Sequence, residues 1–311
     1  MTKDNLIACY TRIEPYVHKT PVLSSRLINR LVGADVYFKC ENFQRTGAYK
    51  MRGATNAIIQ LTNEQKQKGV VTHSSGNFAQ ALALAAQSLG VTAYIIMPSN
   101  SPQVKKNAVA EYGGNILECK PTINARQAAA DKIAENTGAT FIHPSNNIDV
   151  ILGQGTACIE LLKKHPNLGS VFCPVGGGGL IAGSALAIHY FGNDCNIFGG
   201  EPFEADDAYR SLLSGKIETN TTTNTIADGL RTQLGDINFP IILKHVKKII
   251  RVTEDDIIEA MRLIYERMKI IIEPSSAVAV AALIKNKKDF KNQKVGIIIS
   301  GGNVDINNLP F

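Results

Sequence analysis

Short runs of aliphatic and β-branched residues alternate with longer helical periodicities along almost the whole chain. Eight runs predict strands: Val36 to Lys39, Gly69 to His73, Thr92 to Met97, Asn115 to Glu118, Ser170 to Pro174, Asn196 to Gly199, Lys248 to Val252 and Lys294 to Ile299. Helical patterns separate most of them, which is how a parallel sheet with crossover helices is written, so the fold class is α/β. Local chemistry marks helix boundaries. Thr253 with Asp256 three residues on makes a capping box, Pro274 occupies a first helical turn, and Gly90 after Leu89 stops a helix.

Between Gly69 and Ser145 the order is strand, Ala-rich helix, strand, helix, strand, helix, strand, enough for a small doubly wound sheet of its own. A chain of 311 residues has room for two lobes, because single cores stop growing near about 300 residues. The expected organisation is a large domain built from residues 1–68 and 146–311, interrupted by a small α/β domain of residues 69–145. The cleft between two such lobes is where a ligand is expected.

Composition removes several function classes. With 44% hydrophobic and 19% charged residues and no repeat or low-complexity tract, the chain reads as an ordinary soluble protein. The formal charge of +6 is scattered. Its densest basic stretch, Lys285 to Lys294, includes Asp289 and few aromatics, so it reads as a solvated face and no nucleic-acid partner is expected. Cys9, Cys40, Cys119, Cys158, Cys173 and Cys195 form no C-x-x-C pair and no zinc spacing, which fits a reducing, cytoplasmic setting. The N-terminus lacks signal-peptide features. The longest apolar stretch, Ala81 to Pro98, is broken by Gln87, Ser88 and Gly90, so no membrane partner is expected.

The candidate chemistry lies in loops at strand ends. Val171 to Val175 reads as a buried strand, Gly176, Gly177, Gly178 and Gly179 follow without interruption, and Leu180 to Ile188 continues as a helix. Four residues without Cβ let backbone N–H groups approach an oxyanion, and the helix N-terminus adds unsatisfied donors, so a phosphate is the expected guest. Which phosphate stays open at this point, because Gly177-x-Gly179-x-x-Ala182, with Glu201 at the end of the next strand, formally matches a dinucleotide fingerprint. That reading would make the chain a nicotinamide-dependent dehydrogenase. Three other loops stay unexplained by it. They are Thr46-Gly-Ala-Tyr-Lys50-Met-Arg-Gly53, His73-Ser74-Ser75-Gly76-Asn77 and Ser300-Gly-Gly-Asn303.

Taken together, the Lys50 segment, Ser74-Ser-Gly-Asn77, Gly176 to Gly179 and Ser300-Gly-Gly-Asn303 resemble the motifs of fold-type II pyridoxal-phosphate enzymes, in the serine racemase and threonine (serine) dehydratase family. The resemblance runs from Thr20-Pro-Val22 to Asn303-Val-Asp305. It implies a tryptophan synthase β-like fold, with two open, twisted, mostly parallel sheets and helices on both faces. It also implies that Lys50 forms the Schiff base with pyridoxal 5′-phosphate and moves the α-proton. Gly176 to Gly179 would hold the phosphate, Asn77 the phenolic oxygen and Ser300 the pyridine nitrogen, while Ser74, Ser75, Gly76 and Asn77 receive the substrate carboxylate. Ser75 matches the second base of the racemases, on the face opposite the lysine.

The same resemblance implies a divalent cation, Mg²⁺, Ca²⁺ or Mn²⁺, held by Glu201, the carbonyl of Ala205 and Asp207; acidic residues at a helix start otherwise simply complement the dipole. Phe78 stands where the family commonly has histidine, and Ser145 where the racemases carry asparagine. Arg126 matches an arginine linked to lobe closure, and Glu273 is a helix-start carboxylate within reach of the cofactor region. The expected function is a serine/threonine ammonia-lyase with serine racemase activity, acting on a small hydroxy amino acid as a homodimer and leaving room for a nucleotide effector. The alternative within the family is a 3-hydroxyaspartate ammonia-lyase or an aspartate racemase.

Overall fold

The computed structural model describes residues 1–101 and 103–311. The chain opens with α1 (Lys3–Ile13), the two-residue strand β1 (Val22–Leu23), α2 (Arg26–Val32) and β2 (Asp35–Cys40), then α3 (Lys50–Ile59) and α4 (Asn63–Lys68). Strands and helices next alternate through β3 (Val70–His73), α5 (Asn77–Ser88), β4 (Ala93–Pro98), α6 (Gln103–Glu111), β5 (Asn115–Cys119), α7 (Ile123–Thr137) and β6 (Thr140–Phe141). The remainder is α8 (Ile148–Lys164), β7 (Ser170–Pro174), α9 (Gly179–Phe191), β8 (Asn196–Pro202), α10 (Asp207–Ser214), α11 (Phe239–His245), β9 (Val246–Val252), α12 (Glu254–Met268), α13 (Pro274–Lys285) and β10 (Lys294–Ile299). All eight expected strands are present with small shifts at their ends. The Thr253 capping box and Pro274 at the start of α13 also form as expected.

The strands make two sheets, one of six strands in the order β1-β2-β10-β7-β8-β9 and one of four in the order β5-β4-β3-β6. Only β1 runs antiparallel, against β2; every other pairing is parallel. Parallel strands covered by helices on both faces must be apolar on both, and β7 and β10 are accordingly buried at nearly every position. This is the α/β architecture expected, with helices over two mostly parallel sheets.

The smaller sheet lies within residues 70–141. Its apolar core, however, also draws Met51, Ala54, Ala57 and Ile58 from α3 and Val150 from α8. Helix α8 is buried from Val150 to Leu162 on every side, as a central helix is, with Gln154, Thr156 and Glu160 among its buried residues. It lies against α3 on one side and α9 on the other. A Cβ on Gly153 would stand 2.7 Å from Gly53 Cα, and one on Gly155 would stand 2.7 Å from the Gly183 carbonyl carbon. Glycine is therefore what lets the two flanking helices approach, and those helices begin at Lys50 and Gly179. Among the described residues no helix is long and apolar enough to cross a membrane.

Candidate active site

Strand order reverses once in each sheet. In the larger, β7 is flanked by β8 on one side and β10 on the other; in the smaller, β3 is flanked by β4 and β6. Such switch points open a crevice at the C-terminal ends of the strands. The loops at these two points are 176–178 after β7, 300–303 after β10, 74–76 after β3 and 142–147 after β6. Three of them carry motifs expected from the sequence.

Lys50 is delivered by a strained turn. Thr46 (φ 61°) and Gly47 (φ 71°) are both left-handed, a conformation a threonine adopts only when its surroundings impose it. Those surroundings are the 300–303 loop. Tyr49 N donates to Ser300 O at 2.9 Å, Gly302 N donates to Gly47 O at 2.9 Å, and Ala48 forms a bridge with Gly301. The Lys50 and Ser300 loops are thus stitched into one unit. Nζ of Lys50 donates to the carbonyl of Pro144 at 2.8 Å, between the rings of Tyr49 (5.1 Å) and Phe78 (5.7 Å). Loss of hydration pulls its pKa from 10.5 down to about 7, with Glu273 opposing the fall.

Asn77 opens α5 and joins the same unit. Its Nδ2 donates to both carboxylate oxygens of Glu273 at 3.0 Å, and its Oδ1 accepts from Asn303 Nδ2 at 2.9 Å, which also donates to Thr46 O at 2.7 Å. Burial raises the Glu273 pKa to about 7, partly countered by the Asn77 bond. Ser300 is buried and its hydroxyl lies 2.9 Å from that of Ser276, which accepts from Gly301 N at 2.7 Å. Ser74 Oγ accepts from Gly76 N at 3.4 Å. Ser75 is half-buried, with no side-chain hydrogen bond among the described residues.

The glycines of the 176–179 run sit in close quarters. A Cβ on Gly176 would stand 2.7 Å from Leu230 Cα, one on Gly178 2.6 Å from Leu234 Cδ2, and one on Gly179 2.5 Å from Gln154 Oε1. Gly178 is also left-handed, at φ 78°, and directs the chain into α9. The result is a buried glycine turn at the start of a 13-residue helix, the form of an oxyanion cradle. Asn238 Nδ2 donates to Gly177 O at 2.9 Å and pins the turn from below.

The groups present suit pyridoxal phosphate. A near-neutral amine answers the aldehyde, a glycine turn at a helix start answers the phosphate, and the Ser300 hydroxyl and Asn77 amide, here bonded to Ser276 and Glu273, are polar groups of the kind the ring substituents need. Two residues here were not singled out by the sequence. Gln154, wholly buried, donates from Nε2 to Pro144 O at 3.3 Å while its Oε1 has no partner beside Gly179, and His143 shapes the loop that carries Pro144. Gln154 lies between Gly153 and Gly155 and His143 opens a polar run to Asn147, but neither segment follows a strand that reads as apolar in the sequence.

The carboxylates assigned to a cation lie at the end of β8 and the start of α10. Glu201 is fully buried and accepts from Ala208 N at 3.0 Å and Tyr209 N at 2.7 Å, capping α10. Asp207, also buried, accepts from Asn220 Nδ2 at 2.6 Å and Leu234 N at 3.0 Å. Burial and then the charge of Asp207 drive the Glu201 pKa well up, and burial raises Asp207 to about 6. Ala205 is buried in the same turn. Among the described residues, no group of three or more His, Cys, Asp or Glu side chains is placed to hold a metal ion.

With these features in place, the class is defined by its cofactor chemistry. Residues 13–301 match the pyridoxal-phosphate dependent enzyme family, and the chain belongs to it. The serine racemase of Dictyostelium discoideum is 49% identical over 315 residues, covering 99% of this chain and 97% of that protein, and its crystal structure superposes with a TM-score of 0.94 over 98% of this chain and 99% of that one. The β-hydroxyaspartate dehydratase of Paracoccus denitrificans (strain Pd 1222) is 42% identical over 310 residues, covering 100% and 98%. A crystal structure of the T.th. threonine deaminase is 40% identical, with a TM-score of 0.93 over 98% and 99%. The fold is therefore fold-type II, and the chain is a pyridoxal-phosphate enzyme. The dinucleotide reading falls with this result.

Proposed function

We propose that the chain is a serine/threonine ammonia-lyase that converts L-serine or L-threonine to the 2-oxo acid and ammonia, with serine racemase activity at the same site. The observation that carries this reading is the enclosed Lys50 amine, near neutral in pKa and held by Pro144 O beside the glycine cradle. Bound pyridoxal phosphate supplies an electron sink that acidifies the α-carbon of an attached amino acid. Gly176 to Gly179 hold its phosphate, Asn77 its phenolic oxygen, Ser300 its ring nitrogen and Lys50 its aldehyde carbon.

An amine half deprotonated near pH 7 can both attack a carbonyl and take up an α-proton. Ser74, Ser75, Gly76 and Asn77 bind the substrate carboxylate at the α5 N-terminus, where the first-turn N–H groups have no carbonyl partner within the helix. Ser75 is the second base. Proton removal by Lys50 alone suffices for elimination, whereas inversion needs a group on each face.

A second reading, a 3-hydroxyaspartate ammonia-lyase or aspartate racemase, is favoured by Arg126. Its Nε is buried and has no hydrogen-bond partner among the described residues, which leaves a guanidinium edge for a second carboxylate. The Paracoccus relative is named for such a substrate.

Glu201, the carbonyl of Ala205 and Asp207, completed by waters, are proposed to hold Mg²⁺, Ca²⁺ or Mn²⁺. Two buried carboxylates, with the Asp207 charge raising the proton affinity of Glu201 and neither in an ion pair among the described residues, form a donor set that a hard cation suits. Residues 69–145 are proposed as a lobe that moves against the rest. A homodimer is supported by exposed apolar side chains at Leu27, Leu31, Phe43 and Ile271, and a cytoplasmic location by six free cysteines. A nucleotide effector remains part of the proposal.

The test is to incubate holoenzyme with L-serine, D-serine, L-threonine and 3-hydroxyaspartate, with and without Mg²⁺, scoring keto acid and enantiomer separately. Keto acid from serine or threonine, lost in Lys50→Ala, is expected. Faster turnover of 3-hydroxyaspartate than of either would favour the second reading, and no keto acid from any substrate would refute both.

A further inference from the structure

The loop after β6 holds a histidine whose ring is fixed by its own backbone. Nδ1 of His143 faces two N–H donors, Asn146 N at 2.8 Å and Ser145 N at 3.2 Å. A ring nitrogen that accepts backbone donors carries no proton, so the side chain is the neutral tautomer with its hydrogen on Nε2. The surroundings keep it neutral. Burial pushes its pKa down to about 4, His73 and then Lys50 add to the fall, and Asp236 opposes it only weakly.

Nε2 of His143 has no hydrogen-bond partner among the described residues. The ring is half-buried and stands edge-on to His73, with centroids 6.1 Å apart. The next residue is Pro144, whose carbonyl accepts from Lys50 Nζ at 2.8 Å. An uncommitted N–H donor therefore sits one residue along the chain from the acceptor of the catalytic amine.

We propose that His143 donates its Nε2–H to the β-oxygen of the hydroxy amino-acid substrate and so assists the departure of that oxygen. This role rests on the elimination reading above. In that reaction the Cα–H electron pair becomes the Cα–Cβ double bond and the Cβ–O pair leaves with oxygen. The proton taken by Lys50 then passes to that oxygen, forming water and restoring the free amine. His143 transfers no proton. A neutral imidazole is too weak an acid to ionise, but its N–H can bear on the negative charge that builds on the leaving oxygen, as preorganised donors do.

Asparagine at 143 separates this role from a structural one. His143→Asn keeps a side-chain oxygen able to accept turn N–H groups, as Asn does in Asx turns, while removing the Nε2–H; His143→Ala removes both. The holoenzyme variants are assayed on L-serine and on β-chloro-L-alanine, whose chloride leaves without needing a hydrogen bond. In His143→Asn the ratio of kcat on serine to kcat on β-chloroalanine is expected to fall about 100-fold, the usual worth of one such donor. Equal losses on both substrates would overturn the proposal and leave His143 a loop residue. Nitrogen-15 NMR of the full chain gives a second readout, independent of turnover. His143 is expected as the neutral Nε2–H form down to about pH 5, and an Nδ1–H or imidazolium signal at neutral pH would overturn the proposal. Wild-type enzyme that turns over neither substrate would remove the elimination reading itself, and this role with it.

Discussion

Arg52 lies two residues beyond Lys50, and replacing it tests whether a buried charge quartet holds the active-site helix. Its guanidinium is wholly buried and doubly bidentate. Nε and Nη2 meet Glu41 at 2.7 and 2.8 Å, while Nη1 and Nη2 meet Glu160 at 2.8 and 3.0 Å. Lys39 completes the set, donating to Glu160 and lying 3.8 Å from Glu41. Two cations and two anions cancel, so removing one leaves a net buried negative charge. Breaking a buried pair in this way costs about 3–5 kcal/mol. A cavity of about 380 Å³ lined by Lys39, Glu160 and Thr20 borders the quartet and gives water a partial approach, which favours the lower end, about 3 kcal/mol. Arg52→Met keeps much of the volume and removes the charge; urea denaturation measures the loss.

The pH dependence gives a sign as well as a size. Burial alone would raise the Glu41 pKa, but the Arg52 contacts override it and hold it below 4.5. Its contribution is therefore present above the unfolded value and is lost as pH falls through the lowered folded value. In Arg52→Met burial is opposed only by Lys39 and Thr20, the folded pKa of Glu41 rises above 4.5, and this group's contribution grows as pH falls toward that value. A variant within about 1 kcal/mol of wild type, with an unchanged acid slope, would refute this account of the quartet.

Gly153→Ala should cost about 1–3 kcal/mol, because its Cβ would meet backbone of α3, with Gly53 Cα at 2.7 Å. Gly76→Ala, where nothing lies within 4 Å, should change stability by less than about 0.5 kcal/mol; thermal unfolding compares the two. Glu273→Gln removes the charge that opposes the fall in the Lys50 pKa, so the amine should titrate below about 7, read as an acid shift in the pH profile of Lys50 acylation in cofactor-free chain. Asp207→Asn should abolish any rise in melting temperature on adding Mg²⁺ or Ca²⁺ while leaving cofactor binding in place. A rise that persists in the variant would remove this site as the cation's.

The alternation of β-branched runs with helical periods was enough to find both sheets, because strands buried on both faces are apolar throughout and short. The two-residue strand β1 had no such signal. Val22 and Leu23 become a strand only by pairing with Lys39 and Phe38. Glycine and polar loops at strand ends were visible for the same physical reason: a turn that exposes backbone donors needs residues without Cβ. What the sequence did not show is tertiary. Lys39, Glu41, Arg52 and Glu160 are ordinary charged residues until α3 and α8 bring them together across 121 positions. His143 and Gln154 likewise gain meaning only from Pro144 O, which the fold turns toward Lys50.

The central claim is that Lys50 is the residue that holds the cofactor, and borohydride reduction of the holoenzyme followed by peptide mapping tests it most directly. The account predicts pyridoxyl label on the peptide containing Lys50 and on no other lysine, with loss of the visible absorption band. It predicts no label in Lys50→Ala, even though the glycine cradle is intact. Label on another lysine, or a wild-type chain that binds the cofactor but yields no fixed label, would contradict it.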